Sequence, residues 1–357
     1  MKTVPTSADK PTLSAQTVAI VKATAPAVAL HAEAITRRFY TLMFTGDPAV
    51  QVYDNLAALG PAVELIAQKH CSLGIQAEHY PIVGEHLLVA IKDVLGDAAT
   101  DEVIAAWSDA YGFLAEIFIG REQAIYEAQA AVAGGWNGYR EFVVDRKVIE
   151  SEVVTSFYLR PRDGGAVPPY KPGQYITVKI NHPKVPTSPR NYSLSDRPGQ
   201  GHYRISVKRE PSLTAAAPAG VVSNYLHDEV KAGDVLNIGP PCGEFALDPA
   251  AVGDQPIVLL SGGIGITPVM SMLKALAHER VESPVYFVHA ARNSRFHALA
   301  DEARQTVAAL PNARIHFRYD TPWADDMQQR RCDSAGLIDG EFLREWLPSN
   351  DAEFYFC

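Results

Sequence analysis

The stretch "LLSGGIGITPVM", Leu259 to Met270, decides how the last third of this 357-residue chain is read. An apolar run enters Gly262, Gly263 and Gly265, after which Thr267 and Pro268 open a helix. Glycines let backbone approach a pyrophosphate closely, and a helix N-terminus turns free N–H groups and a positive dipole toward it. Proline suits the first helical turn, where its missing N–H does no harm. The same turn also occurs as a plain strand-to-helix connection, so its neighbours carry the decision. "PIVLLSGG", "PVYFVHAARN", "ARIHFRYD" and "EFYFC" are apolar strands alternating with helical stretches such as "TPVMSMLKALAHER", the pattern of a parallel α/β sheet.

Upstream the pattern changes twice. From Trp136 to Pro241 come short β-branched and aromatic runs, "REFVVDRKVIES", "VVTSFYLRP", "GQYITVKI", "RNYSLS", "YRISVKRE" and "DVLNIGPP". With no helix between most of them, they suit a small antiparallel barrel. Before the joint "AGGWNGYREFVV", Thr12 to Ala133 is rich in Ala, Leu, Ile, Glu and Gln at helical spacing. Only six of the 25 prolines precede Gly135, which places the shift toward strands and turns there. The expected order is an all-α domain over 1–134, an antiparallel β-barrel over 135–250 and an α/β parallel-sheet domain over 251–357.

A net charge of −9 gives no clustered excess of Lys and Arg for nucleic acid or an anionic membrane. No segment approaches ~18 uninterrupted apolar residues and the N-terminus has no apolar leader, so the expectation is a cytoplasmic protein without a membrane span; a monomer is expected. Cys71, Cys242, Cys332 and Cys357 are far apart and form no C-x-x-C pair, which reads as reduced thiols.

Within the barrel, period-2 alternation puts Arg190 and Tyr192 on one face of "RNYSLS". An arginine there can grip a phosphate and a tyrosine can lie against a flat ring, although an exposed arginine beside a packing tyrosine fits equally. In "AGVVSNYLHD", Gly220 and Ser223 precede a short helical run, a second candidate phosphate-binding helix start. In "ELIAQKHCSLGIQAEHYPIVGEHLL", His70 closes a run of good helix formers; taken alone, such a histidine is more often a packing or capping residue than a metal ligand.

The set "PGQYITV", "RNYSLS", "GVVS" and "SGGIGITP", in this order and spacing, resembles the ferredoxin–NADP reductase-like family. That resemblance implies that Arg190 holds the FAD pyrophosphate, Tyr192 stacks on the isoalloxazine and Ser193 hydrogen-bonds near its N5. Asn191, Tyr175 and the turn Gly220, Val221, Val222, Ser223 would also contact FAD. Gly263, Ile264, Gly265, Ile266, Thr267 and Pro268 would receive the nicotinamide nucleotide. A helical domain ahead of such a reductase, with "FYTLMF" at Phe39 to Phe44, "AQKHCSLGIQAEHYPIVGEHLL" around His70 and "AEIFIGREQAIY" before "AGGW", resembles the flavohaemoglobins over nearly the whole chain.

That family resemblance implies a globin-like haem domain with His70 as proximal ligand to haem b, Tyr80 as the proximal tyrosine and Tyr40 as the distal tyrosine that hydrogen-bonds bound O2. The implied activity is NAD(P)H-dependent nitric oxide dioxygenation, with electrons passing through FAD to haem and NO oxidised to nitrate. Two other readings stand beside it: an FAD-dependent NAD(P)H oxidoreductase whose globin part no longer uses haem, and a haem- or flavin-binding sensor without catalysis. Three departures from the family pattern are expected. The proximal glutamate position is taken as Ala124 in "REQAIY", with Glu127 as a stand-in. Only 29 residues separate Tyr40 from His70, too few for the distal helix and its connections. The sequence ends at "EFYFC", before the family's last helix and strand. After the Gly-rich turn, "HAARN" lacks the acidic residue that marks a ribose 2′-OH, so NADH and NADPH stay open; Arg292 either meets a 2′-phosphate or faces solvent.

Overall fold

The computed structural model describes residues 13–30, 60–181, 187–212 and 218–357, with the side chains of 25–30 left out. Tyr40 and the short stretch leading toward His70 lie outside the described residues. The chain divides into two compact units, Met1–Glu127 and Ala128–Cys357.

The first unit is helical where it is described: α1 (Ala15–Leu30), α2 (Gly60–Leu73), α3 (His79–Leu95) and α4 (Asp101–Ala131). The start of α4 is written in its sequence, since Thr100 accepts the Val103 N–H through its hydroxyl and Asp101 and Glu102 face the positive end of the dipole. Helices close on one another through small residues, Ala90, Ala106 and Ala110, around Val21, Ile91 and Trp107. The Trp107 indole donates to the Thr24 hydroxyl at 3.0 Å, which satisfies its one polar atom. By length and composition α4 alone among the described helices is long and apolar enough to cross a membrane. Asp109, Glu116, Arg121 and Glu122 interrupt it, and Glu122 is buried against protein partners described below.

In the second unit, β1 (Arg140–Ile149), β2 (Val154–Pro161), β3 (Tyr175–Lys179), β4 (Arg190–Ser193), β5 (Tyr203–Lys208) and β6 (Val235–Ile238) form one antiparallel six-stranded sheet in the order β4-β3-β6-β1-β2-β5. Its two edges meet where Leu194 bridges to Ile205 and the Ser195 N–H donates to the Arg204 carbonyl at 2.8 Å. That contact closes the sheet toward a barrel and removes exposed edge groups. Phe142, Phe157, Ile176, Ile205 and Leu236 fill the interior. A short helix, α5 (Val221–Asp228), lies between β5 and β6 in the chain.

The remaining strands, β7 (Ile257–Gly262), β8 (Val285–Ala291), β9 (Ala313–Tyr319), β10 (Ser334–Ala335) and β11 (Glu353–Phe356), make a parallel sheet in the order β10-β9-β8-β7-β11. Helix α6 (Ile266–Glu279) connects β7 to β8, and α7 (Ala300–Ala308) connects β8 to β9. The strand order reverses direction between β7 and β11, the place in open parallel sheets where ligands settle.

Barrel and parallel sheet join through the outer face of β5. Arg204, whose side chain is 3% exposed, donates to Glu302 of α7 at 2.7 Å, while Lys274 of α6 lies 2.5 Å from Asp196 and also meets Glu302. Burial pushes the Asp196 carboxyl up, but His202, Arg204 and Lys274 outweigh it and hold that carboxyl well below the usual range. Ser271 and Tyr170 both donate to the Asp196 backbone carbonyl, so this joint has its polar groups satisfied.

Two histidines sit wholly inside the parallel-sheet part. His289 Nδ1 is 2.8 Å from the Ser261 hydroxyl, His297 Nδ1 is 2.9 Å from the Tyr319 hydroxyl, and their rings are 4.7 Å apart. Burial pushes His289 down to about 3, and burial with the neighbouring His289 and Arg304 puts His297 well below its ordinary value. Unfolding frees both to bind protons at pH 6, so the unfolded state carries more protons and stability falls as pH drops from about 6.5 toward 3. Each such group contributes up to ~1.4 kcal/mol per pH unit across that window. Urea midpoints measured from pH 7.5 to 4.5 will show a shallower acid slope for His289→Gln than for wild type; parallel slopes would disprove the contribution of this pair.

Candidate functional sites

Three helices bring the first site together. α2 presents His70 in its last turn, α3 presents Tyr80 near its start and α4 presents Glu122. His70 Nδ1 lies 2.7 Å from Glu122 Oε1 and 3.1 Å from the Tyr80 hydroxyl, and Tyr80 donates to the same carboxylate oxygen at 2.5 Å. Glu122 is 2% exposed and Tyr80 8%, whereas the His70 side chain keeps about a third of its surface open. Burial pushes the Tyr80 hydroxyl well above its ordinary value, and the Glu122 carboxylate adds to that, so Tyr80 remains a proton donor.

The scaffold around the triad is equally specific. Tyr111 donates to the Tyr80 carbonyl at 2.7 Å, and its ring occupies the space beside Gly84, where a Cβ would come within 2.6 Å of Cε1. Tyr126, one turn after Glu122, donates to the Ile75 carbonyl at 2.5 Å and ties α4 to the turn between α2 and α3.

The expected glutamate position needs correction. Ala124 and Glu127 are both exposed, and Glu127 only accepts from Gln123. The carboxylate on His70 is Glu122, two residues earlier and about 200° around the helix from Ala124 at 3.6 residues per turn. The signal was in the sequence: Ala115, Glu122 and Tyr126 fall on one buried stripe of α4.

With Nδ1 turned to a buried carboxylate, His70 donates its proton there and leaves Nε2 for a ligand; no described group bonds Nε2. An imidazole fixed in tautomer and angle by a carboxylate is how proteins orient and strengthen a metal-binding histidine. The residues therefore fit an axial haem ligand.

The second site is a cleft of about 510 Å³ in the second unit. Arg190, Asn191, Tyr192 and Ser193 of β4 line it, with Gly220, Val221, Val222 and Ser223 at the start of α5, and Gly262, Ile264, Gly265 and Thr267 at the end of β7 and the start of α6. Two close approaches need glycine. A Cβ on Gly220 would lie 2.7 Å from the Ser223 hydroxyl, and one on Gly265 would lie 2.3 Å from the Cys357 carbonyl. The Gly262 N–H donates to that same carbonyl at 2.9 Å, so β7 and β11 meet at the cleft wall.

Arg190 spends Nη1 on the backbone carbonyls and hydroxyl of Ser188 and Pro189, and among the described residues no carboxylate pairs with it. An unneutralised guanidinium and two helix N-termini facing one cavity suit a diphosphate. Tyr192 is half-buried against the barrel core, which pushes its hydroxyl up to about 12.

Four residues expected to touch cofactor do not line the cleft. Tyr175 pairs in register with Ser193 and exchanges backbone hydrogen bonds with Cys242, its ring beside Gly243. Gly263 sits exposed at the turn with φ +55°, and Ile266 and Pro268 are buried in the core of the parallel-sheet part. The cleft instead adds Ser206, Lys208, Glu210 and Cys357. Lys208 and Glu210 pair at 3.0 Å; they continue the alternation of β5, the signal that would have placed Lys208 with Ser206. Arg292 is exposed with its guanidinium 4.6 Å from the centre of the Phe296 ring.

A histidine–carboxylate–tyrosine triad on helices, joined in one chain to an anion-binding cleft between a barrel and a parallel sheet, defines a globin fused to a flavin- and nicotinamide-type oxidoreductase. The comparisons agree. Family models described as Globin, Oxidoreductase FAD-binding domain and Oxidoreductase NAD-binding domain match residues 21–118, 141–247 and 259–357. A flavohemoprotein of Rhodopirellula baltica is 54% identical over 97% of this chain and 91% of its own length. The chain belongs to the flavohaemoprotein family.

The alignment with that relative runs over 371 residues, longer than the 357 of this chain, so the relative carries residues that this chain lacks. The fold superposes on the flavohemoglobin of Malassezia yamatoensis with a TM-score of 0.78 at 24% identity, covering 97% of this chain and 92% of that one. The FAD/NAD-binding domain of nitric oxide dioxygenase from Vibrio cholerae O1 biovar El Tor aligns at 36% identity and a TM-score of 0.54, over 61% of this chain and 86% of its own.

Loss of the carboxylate will loosen haem. Glu122→Gln, which keeps the shape but cannot carry the charge that orients His70, is expected to raise the rate of haem transfer to an apoglobin acceptor roughly 10- to 100-fold. A rate unchanged within twofold would show that Glu122 is only a packing residue. On the other site, Arg190→Leu should weaken FAD binding about 10- to 100-fold, the worth of a charge-assisted contact to phosphate, in a fluorescence titration. An unchanged affinity would remove Arg190 from the cofactor's contacts.

Proposed function

We propose that this chain is an NAD(P)H-dependent nitric oxide dioxygenase. The observation that carries the reading is the His70–Glu122–Tyr80 triad, intact and oriented in the same chain as the Arg190 cleft. An oriented ligand histidine supports a globin part that uses haem, over the reading in which only the reductase works.

His70 Nε2 would hold haem iron, with Glu122 and Tyr80 fixing the imidazole from behind. Tyr40, outside the described residues, is our candidate for the distal tyrosine. In the cleft, Arg190 and the amide ends of α5 and α6 would take up pyrophosphate charge, Tyr192 would pack on the flavin ring and Ser193 would hydrogen-bond at its edge. When bound, these groups supply hydride from NAD(P)H, flavin relay of its electrons one at a time, and O2 chemistry at haem iron. Electron balance then needs one electron for each NO and O2 converted to nitrate, so one hydride serves two NO. The FAD/NAD-binding domain it matches at 36% identity is that of a nitric oxide dioxygenase, which supports the choice of NO.

Haem- and FAD-loaded protein should consume NADH or NADPH faster when NO is added in air, with nitrate as product. His70→Ala should abolish the NO stimulation while retaining reduction of an artificial acceptor through the flavin. NO that leaves NAD(P)H oxidation unchanged in a fully loaded sample overturns the dioxygenase reading.

A further inference from the structure

Helix α5 turns its N-terminus into the cleft, through Gly220, Val221, Val222 and Ser223. At eight residues it is far below the ~12–15 needed for an isolated helix to hold in water, so its order depends on anchors. Val222 and Leu226, buried in the barrel core, anchor one face, and a further anchor stands at its opposite end. Lys147 of β1 places Nζ 3.1 Å from the Leu226 carbonyl, 3.0 Å from that of His227 and 2.6 Å from that of Val230. An ammonium has three N–H groups: here two meet carbonyls that the helix leaves unpaired in its last turn, Leu226 and His227, and the third meets Val230, two residues past its end. A cation at that end also complements the helix dipole.

The Lys147 stem runs over Phe157, with Nζ 4.9 Å from the ring centre, and this lysine is absent from the cleft lining. An eight-residue helix is ~12 Å long, so Lys147 stands a full helix away from the residues that would meet a phosphate. Neighbouring contacts fix the same end: His227 Nε2 is 2.8 Å from the Val207 carbonyl, and Arg209 holds Asp228 with two bonds of 2.6 and 2.9 Å.

We propose that Lys147 is a positioning residue for the flavin diphosphate: by binding the C-terminal carbonyls of α5 it holds the helix whose N-terminal amides face the cleft. The proposal rests on the reading of that cleft as the FAD site. Its effect passes through α5, so it bears on the phosphate end of the ligand and spares the ring end, where Tyr192 and Ser193 would lie.

The full-length chain stripped of flavin, as wild type and as Lys147→Met, Lys147→Gln and Lys147→Arg, is titrated with FAD and with riboflavin, which has the ring but no phosphate. Lys147→Met should weaken FAD on the order of 10-fold and leave riboflavin within twofold. Lys147→Arg should recover most of the loss. Lys147→Gln, with donors for part of the carbonyl set, should fall between and gives the same comparison if the methionine variant does not fold. FAD affinity unchanged, or FAD and riboflavin weakened alike, overturns the positioning role. A wild-type chain that binds riboflavin as tightly as FAD overturns the cleft reading itself, and this inference with it.

Discussion

A carboxylate buried without a cation must find hydrogen-bond donors or lose its charge, and Glu122 finds two, the Tyr80 hydroxyl and the His70 ring. The described helices of the first unit are arranged around that requirement. Tyr111 fixes the backbone of Tyr80, Gly84 leaves room for Tyr111, and Tyr126 fixes the turn that follows His70. Each of these contacts is a packing detail taken singly. Together they settle which imidazole nitrogen faces the protein and which faces outward, the orientation that the proposed ligand role needs.

The second unit solves the opposite problem, gathering positive potential where an anion belongs. Closure of the barrel at Leu194 and Ile205 brings β4 around to β5, which carries Ser206 and Lys208 into the same cleft. Reversal of strand order between β7 and β11 leaves the start of α6 facing that cleft from the other side. The ion network of Asp196, Arg204, Lys274 and Glu302 holds the two halves in register.

The strands and their order of appearance were legible in the sequence because alternation and β-branching are local signals, and the Gly-rich turn was legible as three glycines between an apolar run and a Thr-Pro helix start; that Gly265 packs against the Cys357 carbonyl was not. The carboxylate that meets His70 was misplaced because the motif "REQAIY" was read by position alone and not by the helical stripe on which Glu122 falls. Burial marks that stripe, and Glu122 shares it with Ala115 and Tyr126 while Ala124 does not. Tyr175 was singled out by its motif; its backbone pairs with Ser193 and bridges to Cys242, with its ring beside Gly243, a placement that alternation alone does not give. Arg204 gave no hint of burial, since β5 is covered on its outer face by helices distant in sequence.

Lys147 shows the same limit from another side. In "REFVVDRKVIES" it is one charge among several on a strand, and its meaning comes from the end of a helix some 80 residues later. Long-range contacts of this kind explain why a cofactor site is larger than the residues that touch the cofactor. A helix N-terminus attracts phosphate only while its amides stay aligned, and an eight-residue helix needs anchors for that, here the burial of Val222 and Leu226 in the barrel core and the contacts at its far carbonyls. On the proposed reading, the diphosphate end of the cleft depends on both ends of α5, one facing the cleft and the other held by Lys147, which does not line it.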